Sequence, residues 1–197
     1  MHEFALRSDT LERMVRAVEK VKERLHRAAA ALDAAGIPYA VCGGNAVAAW
    51  VSQVDEEAVR NTRDVDIVVG RADFDRVKRA LEAAGFVYVN LLDVDMFLDG
   101  PDGKPSGAVH LFYAGEKVRP EHTTLVADLS ESEPSESFRV VTLEALVRMK
   151  LESNRRKDQT HVIDLIHVGL VDHTWPDRFP PILADRLRGL LNDPNEH

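Results

Sequence analysis

Apolar residues at Leu11, Met14, Val15, Val18, Val21, Leu25 and Leu32 recur at three- and four-residue steps, with charged residues or alanine between them. That period predicts an amphipathic helix of about seven turns at ~3.6 residues per turn. Asp9 with Glu12 suits a capping pair at its start, and Gly36 followed by Pro38 stops it. A short apolar run at residues 39–42 then meets Gly43-Gly44 and an alanine-rich helical segment at 45–51. The order is strand, glycine turn, helix. Residues 64–69 (DVDIVV) read as the next strand, and Phe74, Val77, Leu81 and Ala84 mark a second amphipathic helix ended by Gly85. Residues 86–90, 96–98 and 108–113 predict further strands, with 100–107 as a turn.

The polar, acidic stretch 131–137 (ESEPSES) marks an internal boundary. It divides a core with its N-terminal helix, residues 1–130, from a helical C-terminal subdomain packed on it, residues 138–197. Val140, Val141, Leu143, Leu146, Val147 and Leu151 open that helical tail. A further helix covers about residues 159–168, a last one follows Pro180-Pro181 through Leu191, and Asp193-Pro194 ends the ordered part. Strands alternate with helices early and then run consecutively. The fold class expected is α+β, a small mixed sheet with helices packed against it.

Composition narrows the setting. A chain of 197 residues with 45% hydrophobic and 29% charged residues suits one globular domain, or one with an appended subdomain. No run of ~20 apolar residues exists to span a membrane, and the opening MHEFALRSDT lacks a signal-peptide h-region. The single cysteine, Cys42, can form neither an internal disulfide nor a cysteine-type zinc site, which points to a reducing cytoplasm. A formal charge of −8 repels phosphate backbones, so non-specific DNA binding is not expected. A local carboxylate cluster could still draw a divalent cation.

Asp64 and Asp66 are such a cluster. Alternate strand residues share a face, so both carboxylates project together while Val65, Ile67 and Val69 enter the core. Two adjacent carboxylates repel unless a cation intervenes, and Mg²⁺ commonly takes one or two carboxylates plus substrate phosphates. Taken alone, the pair also reads as a solvated strand face. Gly43-Gly44 adds a second element: a double glycine at a helix start lets the backbone approach a phosphate beside free N–H donors. Alone, it is equally a tight turn.

Together the segments VCGGNAVAAW and RNTRDVDIVV resemble the hG[GS]…DhDh signature of the nucleotidyltransferase-fold superfamily that includes DNA polymerase beta. The likeness is closer to the AbiEii/MNT-type bacterial nucleotidyltransferases, many of them linked to toxin–antitoxin and phage-defence systems. The matching positions are Gly43, Gly44, Arg60, Thr62, Asp64 and Asp66. The downstream RMKLESNRRKDQTHVIDL is similar to that group's lysine-bearing helix, with Lys150 at the lysine facing the triphosphate and Lys157-Asp158 at the later pair. The resemblance implies metal-assisted transfer of an NMP from an NTP to a hydroxyl on an RNA end (a tRNA among them), a protein or a small molecule. Asp64 and Asp66 would hold Mg²⁺ or Mn²⁺, Gly43 and Gly44 the phosphates, and Lys150 the triphosphate charge. A partner protein or a second copy of the chain is also among the implied partners.

The sequence departs from that pattern at the third carboxylate, where His110 stands within Ala108-Val109-His110-Leu111-Phe112. An imidazole can ligate a metal or accept a proton, and it suits Mn²⁺ or Zn²⁺ better than Mg²⁺. His110 is equally a partly buried structural histidine, in which case the fold would be catalytically degenerate and serve as a binding or antitoxin-like partner. Asp95 on the preceding strand is a candidate for a substitute ligand. An antibiotic-modifying adenylyltransferase, which shares fold and metal pair, is a third reading. Arg148, Lys150, Arg155, Arg156 and Lys157 form a basic concentration, either a charged helix surface or a patch for a triphosphate or an RNA end. His161, Asp164 and His167 fall at three-residue steps and suit a solvated or interhelical role, while Trp50 and Trp175 suit packing.

Overall fold

The computed structural model describes residues 9–192; the expected end at Asp193-Pro194 and the opening segment lie outside the described residues. The 25-residue helix α1 (Thr10–Ala34) leads into β1 (Tyr39–Cys42) and α2 (Gly43–Ser52). Next come β2 (Val65–Val69), α3 (Phe74–Ala83), β3 (Val87–Leu91), β4 (Val94–Leu98) and β5 (Val109–Tyr113). The chain continues through β6 (Ser132–Pro134), β7 (Arg139–Val141), α4 (Leu143–Ser153), α5 (Arg156–His167) and α6 (Pro181–Leu191). Among the described residues seven strands make one mixed sheet in the order β3-β4-β5-β2-β1-β7-β6. Parallel pairs β2/β5 and β1/β7 are embedded among antiparallel neighbours. This is the expected α+β class.

Two apolar clusters sandwich the sheet. On one face Val65, Ile67, Val69, Val109 and Leu111 meet Leu25, Ala28, Ala29 and Leu32 of α1 and Val77 and Leu81 of α3. The two alanines are fully buried, which brings the α1 backbone close to the strands. On the other face Ala40, Cys42, Val68 and Val140 meet α2, α4, α5 and α6 through Val47, Leu146, Val162 and Leu183. Central strands buried on both faces cannot keep a strict polar face. Val68 is therefore buried while Asp66, two residues earlier, is not.

Three local expectations are corrected. First, only the second half of α1 packs: Leu25 is 6% exposed, whereas Leu11 is 72% and Met14 is 62% exposed. A 25-residue helix runs about 37 Å, roughly twice the length of a five-residue strand, so it outruns the sheet it covers. Second, Asp9 makes no side-chain capping bond; its carboxylate accepts from Arg13 Nε at 2.7 Å instead. Third, Val140 and Val141 open no helix. They lie in β7, which pairs antiparallel with β6 inside the acidic stretch and parallel with β1 at Val41↔Val140. Glu131 is held there by two 2.8 Å bonds from Arg148 of α4. The tail's first helix starts at Leu143, where the Thr142 hydroxyl accepts from the Ala145 N–H.

Candidate metal and nucleotide site

Strand register builds the site. β1 runs antiparallel to β2 with Cys42 opposite Asp66, and β5 runs parallel on β2's other side with His110 opposite Asp66. Asp66 is thereby flanked by the start of α2 on one side and by His110 on the other. Asp64, Asp66 and His110 each offer one ligand atom, and these atoms all lie within 4.8 Å of one another. His110 Nδ1 is 3.4 Å from Asp66 Oδ1. The structure thus brings together the two carboxylates and the histidine proposed from sequence.

The glycines explain why α2 can begin so close to this cluster. Gly43 has φ +67°, and a Cβ built on it would stand 1.8 Å from Asp66 Oδ2. A Cβ on Gly44 would stand 2.8 Å from Thr62 Oγ1. Asn45 then donates from Nδ2 to the Asp64 carbonyl at 2.8 Å. Gly43, Gly44 and Asn45 form a seat on which the 62–66 segment rests. The close approach inferred from the double glycine is therefore first of all an approach to Asp66 and Thr62. Asn45 was not singled out from sequence, although its place beside the two glycines was the available signal.

Charge around the cluster is tightly paired. Burial pushes the Asp64 carboxyl up, but a 2.7 Å bond from the Thr62 hydroxyl and the Lys157 ammonium more than offset this, holding its pKa at about 2. Lys157 Nζ lies 3.2 Å from both Asp64 oxygens. Thr62→Val should raise the Asp64 pKa from about 2 toward the ordinary 3.8, because it deletes a bond made to the charged form. A carboxyl-carbon NMR titration would read it, and an unchanged value would refute the assignment.

Lys150 is buried, and its ammonium bonds Asp158 at 3.0 Å. Asp158 also accepts from Arg155 Nε at 2.7 Å. Lys157 and Asp158 are neighbours on α5, turned about 100° apart, so one faces Asp64 and the other faces Lys150. Arg60 makes two 2.9 Å bonds to Asp164, tying the 53–64 connection to α5. The basic concentration is thus largely a set of ion pairs rather than one positive surface: Arg148 with Glu131, Lys150 and Arg155 with Asp158, Lys157 with Asp64.

Other candidates separate cleanly. Asp95 is no substitute ligand: its carboxylate accepts from Tyr88 Oη at 2.8 Å, from Asn90 and from Tyr113, which places it in the α3-side aromatic group instead. His161 is buried; burial first, then Lys150 and Lys157, push its pKa down to about 4. Asp164 beside it serves Arg60, so these α5 residues act between elements. Trp50 donates to the Val141 carbonyl at 3.1 Å and Trp175 is buried, both in packing roles. The Cys42 thiol is fully buried and pushed well up by burial and by Asp66, which makes it unreactive.

The cluster opens into a cleft of about 590 Å³. Its walls are apolar at Phe112, Val126, Leu146 and Met149, and charged at Lys150, Arg155 and Lys157. One side is a strap that sequence reading missed: Glu152 of α4 accepts from the N–H and hydroxyl groups of both Thr123 and Thr124 at 2.7–3.0 Å. Burial pushes the Glu152 carboxyl up, yet these four donors hold it at about 2.

The donor set fits one divalent cation. Two carboxylates and an imidazole suit Mn²⁺ or Mg²⁺, with the nitrogen favouring Mn²⁺. That a lysine ammonium already lies between the Asp64 oxygens shows how strongly this cluster draws positive charge.

The mixed sheet, its helices and the carboxylate pair beside a Gly-Gly helix start define a nucleotidyltransferase fold. The profile of the family described as "Uncharacterised nucleotidyltransferase" matches residues 4–188, and the chain belongs to that family. Among solved structures, an antigenic nucleotidyltransferase-like protein from Paracoccidioides brasiliensis aligns with TM-score 0.58 and 21% identity, covering 88% of each chain. ANT(2")-Ia, crystallised in complex with adenylyl-2"-tobramycin, aligns with TM-score 0.57 and 14% identity, covering 87% of this chain and 98% of that one. Identities this low carry the fold alone. No curated protein matches the chain. Among the described residues no helix is long and apolar enough to cross a membrane.

Proposed function

We propose that the chain is an active, divalent-cation-dependent nucleotidyltransferase that moves an NMP from an NTP to a hydroxyl acceptor. The observation behind it is the convergence of Asp64, Asp66 and His110 in a cleft beside the first turn of α2. Asp64 and Asp66 would hold the cation, with His110 as the third donor. A bound divalent ion there supplies Lewis-acid stabilisation of charge on the phosphoryl group in transfer. Gly43 lines the cleft where α2 begins, and the N–H groups of that first turn suit phosphate oxygens. Lys157 and Arg155 line the same cleft and offset triphosphate charge. Lys150 is bonded to Asp158, so its part is to position the Lys150–Asp158–Arg155 group rather than to grip the nucleotide directly. His110, held beside Asp66, completes that donor set, and an imidazole that ligates a cation has no lone pair left to take a proton.

A small-molecule hydroxyl leads the acceptor classes, in keeping with the fold shared with a protein crystallised with adenylyl-2"-tobramycin. An RNA end and a protein side chain follow. The setting is a reducing cytoplasm, consistent with a single buried cysteine.

Incubation with α-labelled NTPs, Mn²⁺ or Mg²⁺ and acceptors of these classes should transfer label. Absence of transfer together with absence of NTP and metal binding by calorimetry would refute the reading. A second reading rests on His110 in place of a carboxylate and on the AbiEii/MNT likeness of the sequence blocks. It is a degenerate fold acting as an antitoxin-like partner. Transfer by His110→Asp but not by the natural chain would select that reading.

A further inference from the structure

Lys157 carries an inference that rests on the cation site just proposed. Beside the Asp64–Asp66 pair the cleft wall carries Asp158 and the cations Lys150, Arg155 and Lys157. Two of those cations are committed to Asp158, one of them from a buried position. Lys157 alone faces the Asp64–Asp66 pair at bonding distance, spanning both Asp64 oxygens at 3.2 Å. It does so from the first turn of α5 with its side chain 46% exposed, so it is free to swing away. Without a ligand the lysine thus offsets the carboxylate charge at Asp64.

We propose that Lys157 holds the cation's place on Asp64 and thereby makes metal binding depend on nucleotide. A divalent ion arriving alone meets a neutralised carboxylate and must displace an ammonium whose charge it then repels. When a triphosphate enters, its negative charge offers Lys157 a second partner within the same cleft, and both Asp64 oxygens become available. The lysine transfers from carboxylate to phosphate, and the divalent ion takes over its charge on Asp64. Metal and NTP therefore bind with positive coupling, each raising the affinity for the other by the same factor. The device would keep a metal with two adjacent carboxylates from being held idle in the absence of substrate.

The test is Mn²⁺ binding, read by electron paramagnetic resonance of free Mn²⁺ with no turnover involved. It compares the natural chain, Lys157→Met and Lys157→Arg, each with and without a nucleoside α,β-methylenetriphosphate. Lys157→Met should bind Mn²⁺ alone about tenfold more tightly than the natural chain, since one unit charge a few ångströms away is removed. The analogue should then add much less to Mn²⁺ affinity than it adds in the natural chain. Lys157→Arg, which keeps the charge, should follow the natural chain in both respects. Equal Mn²⁺ affinity of Lys157→Met and the natural chain overturns the role of the lysine while leaving the site intact. Failure of all three proteins to bind Mn²⁺, with or without the analogue, removes the cation site and this proposal together.

Discussion

Gly43→Ala is expected to abolish nucleotide transfer and to lower stability by about 2–3 kcal/mol. Two separate physical effects act at this position. A φ of +67° costs an L side chain about 1–2 kcal/mol, because Cβ crowds the following carbonyl. The new methyl would also lie 1.8 Å from Asp66 Oδ2 and 2.7 Å from Asp66 Cβ. Rotating the carboxylate relieves the first contact but not the second, since Cβ is fixed to β2. Either α2 or the Asp66 backbone must shift, and a cation site tolerates little displacement. Calorimetric unfolding, Mn²⁺ binding and transfer assayed on one preparation would measure all three consequences. A Gly43→Ala protein with natural activity would show that the α2 start is not held against Asp66 as described. Gly36→Ala makes an informative control: its φ is +59°, yet a Cβ there meets nothing within 4 Å, so it should carry the backbone cost alone.

Asp158→Ala is expected to cost about 3–5 kcal/mol of stability, the usual penalty for stranding the partner of a buried ion pair. Lys150 is the stranded group, with its side chain 7% exposed against 1% for Asp158. For a chain of this length that corresponds to a fall in Tm on the order of 10 °C. Replacing both partners, Lys150→Met with Asp158→Asn, should recover most of the loss, because no buried charge is then left unpaired. The pH dependence follows from the Asp158 pKa. Burial alone would raise it, but Arg155 and Lys150 hold it at about 2 against an ordinary 3.8. A depressed carboxylate stabilises the fold fully above the unfolded value, and that stability is lost as pH falls from about 4 through about 2. Thermal unfolding of the natural chain between pH 5 and pH 2 should show this decline, and Asp158→Asn should make it shallower, leaving the share of Asp64 and Glu152. Equal slopes for the natural chain and Asp158→Asn in that window would refute the pairing.

The two largest effects thus fall on residues whose roles lay at different depths in the sequence. Its place between an apolar run and a helix marks Gly43, and the sequence suggests a phosphate as its neighbour. That the neighbour is Asp66 depends on the antiparallel pairing of Cys42 with Asp66 across residues 53–64, and no local pattern encodes that register. The family likeness of its segment puts Lys150 at the triphosphate. Its burial against Asp158 comes from the turn at Asn154, in the left-handed region, after which α5 packs back on α4.

His110 was legible through its place in an apolar run, and the parallel register Asp66↔His110 brings it beside the carboxylates. Asp95, one strand earlier, has an equal claim by composition. It projects among Tyr88, Asn90 and Tyr113 instead, on account of pleat phase alone.

By itself, the chain determined its elements and its chemical vocabulary. Period-3.6 and period-2 patterns depend on neighbours a few residues apart, so α1, the central strands and the C-terminal helices could be read from them. The paired aspartates, the double glycine and the family likeness similarly sit within short segments. Tertiary structure alone decided which charges meet. It made ESEPSES half of a sheet-edge hairpin, left the first half of α1 beyond the sheet it covers, and turned a run of basic residues into separate ion pairs. It also placed Lys157 on Asp64 across 93 residues of chain. The physical reason is range: hydrophobic periodicity is set by local geometry, whereas pairing a buried charge is settled by strand register and helix crossing, which only the assembled core defines.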